Sequence, residues 1–236
     1  MFDFSGKYAV VTGGSQGIGE AIVRRLTADG AAGVAVLDMT DVAYAKELDP
    51  AGDRIMPIKC NIANRDEAHA AIRMVYERFG RIDFMINNAG IARDAMFHKM
   101  TDENWDHVID VDLHGAYNCT RPVINKMRDQ EAGRIIFISS IAIYGAPGQS
   151  NYSAAKGGLR TLTKTLARES RLKNITVNCI IPGGIATAMT AGIPPRGPNE
   201  QRLGKPEEVA SLICYLCTDE AAFISGACID INGGSR

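Results

Sequence analysis

Short apolar runs rich in β-branched residues alternate with longer amphipathic stretches along the whole chain. The runs are KYAVVTG, AGVAVLD, RIMPIKCN, RIDFMINNAG, GRIIFISS, ITVNCIIPGG and ACIDINGG. Between them, stretches such as EAIVRRLTADG and RDEAHAAIRMVYERFG repeat their apolar residues at helical spacing. Strand and helix alternate seven times, which predicts an α/β fold: a doubly wound Rossmann-type parallel seven-stranded sheet with right-handed crossovers and helices on both faces. No internal repeat or low-complexity segment interrupts the pattern, so residues 1–236 read as one domain.

In such sheets ligands bind outside the carboxyl ends of the strands, near the point where strand order reverses. Polar or glycine residues follow nearly every run here: Thr12 and Gly13, Asp38, Asn61, Asn87 to Gly90, Ser139 and Ser140, and Pro182 to Gly184. Each alone is a turn signal. Together they converge on one edge of the sheet.

The first of these ends opens TGGSQGIG, with Gly13, Gly17 and Gly19 ahead of the helix EAIVRRL. Glycines let the backbone turn tightly and approach a pyrophosphate, and free amides at a helix start receive its charge. The spacing GxxxGxG departs from GxGxxG, and a glycine turn alone is weak evidence. Asp38 strengthens it, because a carboxylate closing the second strand can accept hydrogen bonds from a ribose diol. That charge would repel the extra phosphate of NADP, and the turn holds no lysine or arginine to attract it, so the pattern favours NAD over NADP.

A second pattern lies in NYSAAKGG, residues 151–158, where Tyr152 and Lys156 share one helix face. A lysine cation near a phenol stabilises the phenolate and lowers the tyrosine pKa, as a proton donor to a carbonyl needs near neutral pH. Taken by itself, the spacing fits a solvated helix face better than a site.

Composition narrows the classes. With 26 basic and 27 acidic residues and no basic run, there is no patch for nucleic acid or a membrane surface. The N-terminus lacks the features of a secretory signal and no apolar run approaches a bilayer span, so a soluble, cytoplasmic protein is expected. The six cysteines lack framework spacing and are expected as reduced thiols; the CxxC at Cys214 and Cys217 reads as core packing, and no metal site is expected.

With TGGSQGIG, NNAG (87–90), Ser139, YSAAK and PGGIAT (182–187) in one order, the sequence resembles the short-chain dehydrogenase/reductase family over nearly its whole length. GQSNYSAAKGGL and RLGKPEEVA bring it nearest the 3-oxoacyl-thioester reductase group, acting on acyl carrier protein or CoA thioesters. The resemblance implies that Tyr152 exchanges a proton with the substrate oxygen, that Lys156 binds the nicotinamide ribose and depresses the tyrosine pKa, and that Ser139 hydrogen-bonds the substrate carbonyl. Hydride then passes directly between nicotinamide and carbon. A carbonyl accepting hydride gains negative charge on oxygen, which donors at Ser139 and Tyr152 would stabilise. The cofactor is expected on Gly13, Ser15, Gln16, Gly17, Ile18 and Gly19, then Asp38 and Met39, Asn61 and Ile62, and Asn88, Ala89 and Gly90. Tyr152, Lys156, Pro182, Gly183, Ile185 and Thr187 complete that set, with Thr187 near the carboxamide. Asn61 stands where the family commonly has an aspartate by the adenine; its amide oxygen can accept the same bond. The family also implies a homotetramer or homodimer, with helices near 105–121 and 152–168 packing against their copies.

Two departures stand out. In WDHVIDVDLHGAY, Asp112 interrupts an apolar stripe of Trp105, Val108, Ile109 and Ala116, and an unpaired core carboxylate is costly. The family has an asparagine there, holding a water that leads to the active lysine. Asp112 is therefore placed with the catalytic residues: it could hold the same water, while its charge raises the Lys156 pKa and offsets the lysine's effect on Tyr152. A slower enzyme or an altered pH optimum follows, unless the helix phase turns the carboxylate to solvent. The second departure is AMTAGIPPRGPNEQ, residues 188–201, short and proline-rich where relatives carry a longer substrate lid. An open cleft of that kind would admit a bulky or carrier-linked carbonyl substrate. Substrate-contact candidates are Ser139, Ile141, Tyr144, Gln149, Tyr152, Gly183, Met189, Ala92 and Arg93; His98, His107 and His114 lack triad-like neighbours and read as structural. The competing reading is a dinucleotide-binding regulatory or scaffold protein whose catalysis is weakened by Asp112 and the short lid.

Overall fold

A computed structural model describes residues 2–192 and 202–234. The seven apolar runs form β1 (Tyr8–Thr12), β2 (Gly33–Asp38), β3 (Ile55–Lys59), β4 (Phe84–Asn87), β5 (Gly133–Ile138), β6 (Ile175–Pro182) and β7 (Cys228–Ile231). All pair in parallel, in the order β3-β2-β1-β4-β5-β6-β7. Strand order therefore reverses between β1 and β4, and the crevice above that pair is where such a sheet accepts a ligand.

Among the described residues seven α-helices connect the strands: α1 (Gly17–Ala28), α2 (Ala45–Leu48), α3 (Arg65–Phe79), α4 (Asp102–Ile109), α5 (Gly115–Gln130), α6 (Ser150–Ser170) and α7 (Pro206–Cys217). Side chains alternate across each strand, so Val11, Val36, Ile86 and Ile180 pack under α1 and α7, while Val10, Leu37, Met85 and Phe137 pack under α3, α5 and α6. Burial on both faces is why the strand sequences are nearly continuous apolar runs rather than alternating ones. Cys214 and Cys217 lie inside the first of these layers, as packing residues of α7.

Local chemistry fixes the helix ends. The Asn64 side chain accepts from the Asp66 and Glu67 amides at the start of α3, and Gly80 closes it at φ 77. Thr101 caps α4 by accepting from the Asn104 amide.

Between α4 and α5 the helix widens by one residue over Asp110–His114, where the Gly115 amide donates to the Asp110 carbonyl five residues back. In this widened turn Asp112 is 1% exposed, so its side chain faces inward and the solvent-facing alternative does not hold. Of the expected short lid, Ala188–Thr190 forms a single tight turn, and 193–201 lies outside the described residues.

Candidate active site

The end of β1 is bound directly to the end of β4. Thr12 Oγ1 accepts from the Asn88 and Ala89 amides at 3.1 Å each, and Asn88 Nδ2 donates to the Thr12 and Gly13 carbonyls at 2.9 and 2.8 Å. This lattice holds the glycine turn rigid at the reversal point of the sheet.

The turn leaves no room for side chains. A Cβ on Gly19 would lie 2.1 Å from the Gly13 carbonyl oxygen, and one on Gly13, itself at φ +63, would lie 2.7 Å from Ala89 Cα. No side chain caps the start of α1 at Gln16, so the first amides of the helix remain available to an anion. A cradle that any Cβ would fill, ending in free helix amides, fits the pyrophosphate of a dinucleotide.

Asp38 closes the other side of the cradle. Its Oδ2 accepts from the Ser15 amide at 3.0 Å, and Oδ1 from the Thr40 amide at 3.0 Å and the Thr40 hydroxyl at 2.9 Å. Burial pushes this carboxyl up, but the Thr40 and Ser15 donors outweigh it and hold it below the usual carboxylate range. The ionised group and the exposed Met39 beside it thus stand next to the phosphate turn.

Tyr152 and Lys156 both leave the first turns of α6, with Lys156 Nζ 5.4 Å from the centre of the tyrosine ring. Lys156 Nζ also lies 3.1 Å from Asp112 Oδ2, and Asp112 Oδ1 accepts from the Ile91 amide at 2.8 Å. Gly90 makes this approach possible, since a Cβ there would sit 2.8 Å from both the Asp112 carboxylate and the lysine nitrogen. The NNAG segment, Asp112 and Lys156 are therefore one packed unit.

Electrostatics follow from that packing. Burial works to lower Lys156, but Asp112, through its charge and hydrogen bond, and Tyr152 together outweigh it and hold the ammonium above its ordinary pKa. Burial pushes the Tyr152 phenol up, the lysine cation pulls it down, and Asp112 pushes it up again; the net direction is upward. The expectation of a depressed tyrosine pKa is thus corrected in the chain by itself, because desolvation and the nearby carboxylate together exceed the lysine's effect. The Asp112 carboxyl is itself raised by burial, against the pull of Lys156.

The two serines after β5 divide their tasks. Ser139 continues the strand alternation onto the α6 face, where its buried hydroxyl donates to the Lys156 carbonyl at 2.9 Å. Its expected place at a substrate carbonyl does not match that geometry. Ser140 instead opens the turn Ile141–Tyr144, accepts from the Ala142 amide, and is the serine whose hydrogen bonding acts on the Tyr152 phenol. The doubled serine was visible in the sequence, but strand phase at the last residue decides between the two.

Around this centre, Asn151 is completely buried: its Nδ2 donates to the Arg93 and Asn104 carbonyls and its Oδ1 accepts from the Tyr152 amide. It ties the loop after β4 to the start of α6, a role the motif reading missed although Asn151 adjoins the tyrosine. Gln149 donates to Asp94 at 2.9 Å, and the Tyr144 hydroxyl reaches Asp230 on β7 at 3.2 Å, so both side chains are held by loops and strand ends bordering the site. The Arg93 guanidinium is exposed over its neighbour's carbonyl, Ile141 packs on the α6-side core, and Met189 is exposed.

On the remaining rim, Thr187 stands across from Gly17, bordering an open cleft of about 500 Å³ with Ala186, Ala188, Thr190 and Leu203. Ile185 is buried beside it, and Gly183, following Pro182 at the end of β6, packs its backbone against Asn232. Asn61 Oδ1 accepts from the Ala63 amide in a local turn, and Ile62 is buried against Gly115. His114 pairs with Asp110 on the surface, and among the described residues no cluster of His, Cys, Asp and Glu could hold a metal ion.

Comparison with known proteins gives the class. The family model described as short chain dehydrogenase matches residues 7–196, and the chain belongs to that family of oxidoreductases, which work on nicotinamide dinucleotides. Among its relatives is an acetoacetyl-CoA reductase of Rhizobium meliloti, 45% identical over 240 residues covering 97% of this chain and 98% of the relative. A 3-oxoacyl-[acyl-carrier-protein] reductase of Thermotoga maritima is 38% identical over 239 residues, covering 97% of each. The crystal structure of a levodione reductase shares the fold with a TM-score of 0.90 at 29% identity over 98% of both chains.

Proposed function

We propose that this protein is an NAD(H)-dependent oxidoreductase that interconverts a ketone and a secondary alcohol, with a 3-oxoacyl thioester and its 3-hydroxy form as the substrate pair. The observation that carries the reading is the packing of Lys156 and Asp112 against Gly90, with the centre of the Tyr152 ring 5.4 Å from the lysine nitrogen, beside a glycine cradle that fits a pyrophosphate. When bound, the nicotinamide supplies or accepts the hydride. Tyr152 holds the proton exchanged with the substrate oxygen, and Lys156 keeps a cation beside the phenol while that proton moves. Ser140, rather than Ser139, offers the second hydrogen bond to an oxygen gaining negative charge. Asn151 and Ser139 position the tyrosine and lysine through the α6 backbone.

Asp38 supports NAD over NADP, because an ionised carboxylate beside the glycine turn favours a ribose diol and opposes a phosphate. The thioester class is supported by the names of the two reductase relatives. A homotetramer or homodimer remains part of the proposal, supported by the exposed Tyr117 on α5, and light scattering tests it. Six cysteines without a disulfide among them support a cytoplasmic setting.

The test is turnover of NADH and NADPH with acetoacetyl-CoA and with simple ketones, with cofactor binding measured in the same sample. NADH oxidation that is faster with the thioester supports the reading. Tight NADH binding without hydride transfer to any carbonyl would favour the dinucleotide-binding regulator instead.

A further inference from the structure

Two thiols outside the mechanism face each other across the last pair of strands. Cys179 on β6 and Cys228 on β7 are direct partners in the parallel register. Partners in adjacent strands carry their side chains on the same face, and both cysteines here belong to the layer packed under α6. Neighbouring strands lie about 4.7–4.9 Å apart, inside the Cα separation of about 4.4–6.8 Å that a disulfide spans. Cys179 is fully buried, whereas Cys228 lies on the sheet's edge strand and is partly open to solvent.

The surroundings distinguish the two sulfurs. A hydrogen bond with Cys179 pulls the Cys228 thiol down to about 6, helped by Arg160 and Lys164 of α6, whereas Cys179 is pushed upward by the same contact. Cys228 Sγ also lies 3.9 Å from the Arg160 carbonyl. The carboxylate on this face of β7, Asp230, is engaged by the Tyr144 hydroxyl. The other four cysteines are buried, and burial raises all of them. An accessible thiolate with a resolving thiol beside it is the arrangement in which oxidation is selective.

We propose that Cys179 and Cys228 form an oxidisable dithiol, which a hydroperoxide closes to an intrachain disulfide between β6 and β7. The Cys228 thiolate attacks a peroxide oxygen, the O–O bond breaks, and one oxygen leaves as hydroxide while Cys228 becomes a sulfenic acid. Cys179 then attacks that sulfur; an S–S bond forms, the S–O bond breaks, and the departing hydroxyl takes the Cys179 proton as water. Hydrogen peroxide is reduced to two waters and the two thiols lose two hydrogens between them. This modification is independent of the substrate reading, since it needs neither dinucleotide nor carbonyl.

The experiment treats the reduced full-length protein with hydrogen peroxide, removes the excess with catalase, labels free thiols with N-ethylmaleimide in denaturant and maps them by mass spectrometry. The expected result is two fewer labels than in the untreated protein, a peptide linking Cys179 to Cys228, and recovery of both labels after dithiothreitol. Cys228→Ser should leave Cys179 labelled after peroxide. Full labelling after peroxide, a sulfinic acid at Cys228 with Cys179 still labelled, or a link joining Cys228 of two copies would each overturn the proposal. The wild-type measurement stands alone if the variant folds poorly.

Discussion

Asp112 and Lys156 meet as a buried ion pair, 3.1 Å between carboxylate oxygen and ammonium nitrogen, with the two residues 1% and 2% exposed. The pair sits where the lysine must also act on Tyr152, so burial and the charge balance of the pair together set the acidity of the phenol. The carboxylate raises both partners, working against the lysine's effect on the tyrosine. The site therefore holds its tyrosine proton more firmly than a tyrosine–lysine pair alone would.

Asp112→Asn removes that charge, leaving both Lys156 and Tyr152 free to move down. Alcohol oxidation, which needs the phenolate, rises with pH through the tyrosine pKa, so its rise should begin at lower pH in the variant. Ketone reduction, which needs the phenol, should decline at lower pH as well. Turnover in both directions across a pH series checks this, and superimposable profiles would remove the electrostatic role of Asp112.

Lys156→Met should destabilise the fold by about 3–5 kcal/mol, because it leaves the Asp112 carboxylate buried without its cation. Replacing both partners, as Asp112→Leu with Lys156→Met, should recover most of that loss. Urea denaturation of the two variants measures the difference. Equal destabilisation of the single and double variants would mean that the pair is not coupled.

The two serines separate function from structure. Ser140→Ala should lower turnover by about 10²–10³-fold, the usual loss when one donor to a developing oxyanion is removed. Ser139→Ala should cost about 1 kcal/mol of stability through its lost bond to the Lys156 carbonyl, with a loss of turnover smaller than that of Ser140→Ala. The reverse assignment of these effects would restore Ser139 as the carbonyl donor.

Asp38→Asn should weaken NAD binding by roughly 10-fold or more, given that hydrogen bonds to a charged group are worth about 1.5–3 kcal/mol. NADP binding should improve, since the repelling charge is gone. Fluorescence titration with both reduced cofactors gives the ratio, and an unchanged preference would place the discrimination elsewhere.

Much of this was legible in the chain because strand phase and turn chemistry are local. The parallel sheet followed from the sevenfold alternation of apolar runs with amphipathic stretches, and the cradle from the glycines of TGGSQGIG set between a strand and a helix. Asp112 was visible as a carboxylate in an apolar stripe, but the widened turn that seats it depends on packing against Gly90 and α6. Ser140 was obscured because one residue of strand phase separates it from Ser139, and periodicity is weakest at the last residue of a strand. Asn151 carries no motif; its two bonds to the Arg93 and Asn104 carbonyls link segments far apart in sequence, which only the fold brings together. The net pKa of Tyr152 was likewise out of reach, since it is a balance of burial against two opposite charges.

Tyr152→Phe tests the acid–base role of the phenol most directly, measured as single-turnover hydride transfer from NADH to acetoacetyl-CoA alongside NADH affinity. Removal of the hydroxyl should slow transfer by about 10²–10⁴-fold while the cofactor binds as before. Transfer at the wild-type rate with intact cofactor binding would show that another group delivers the proton.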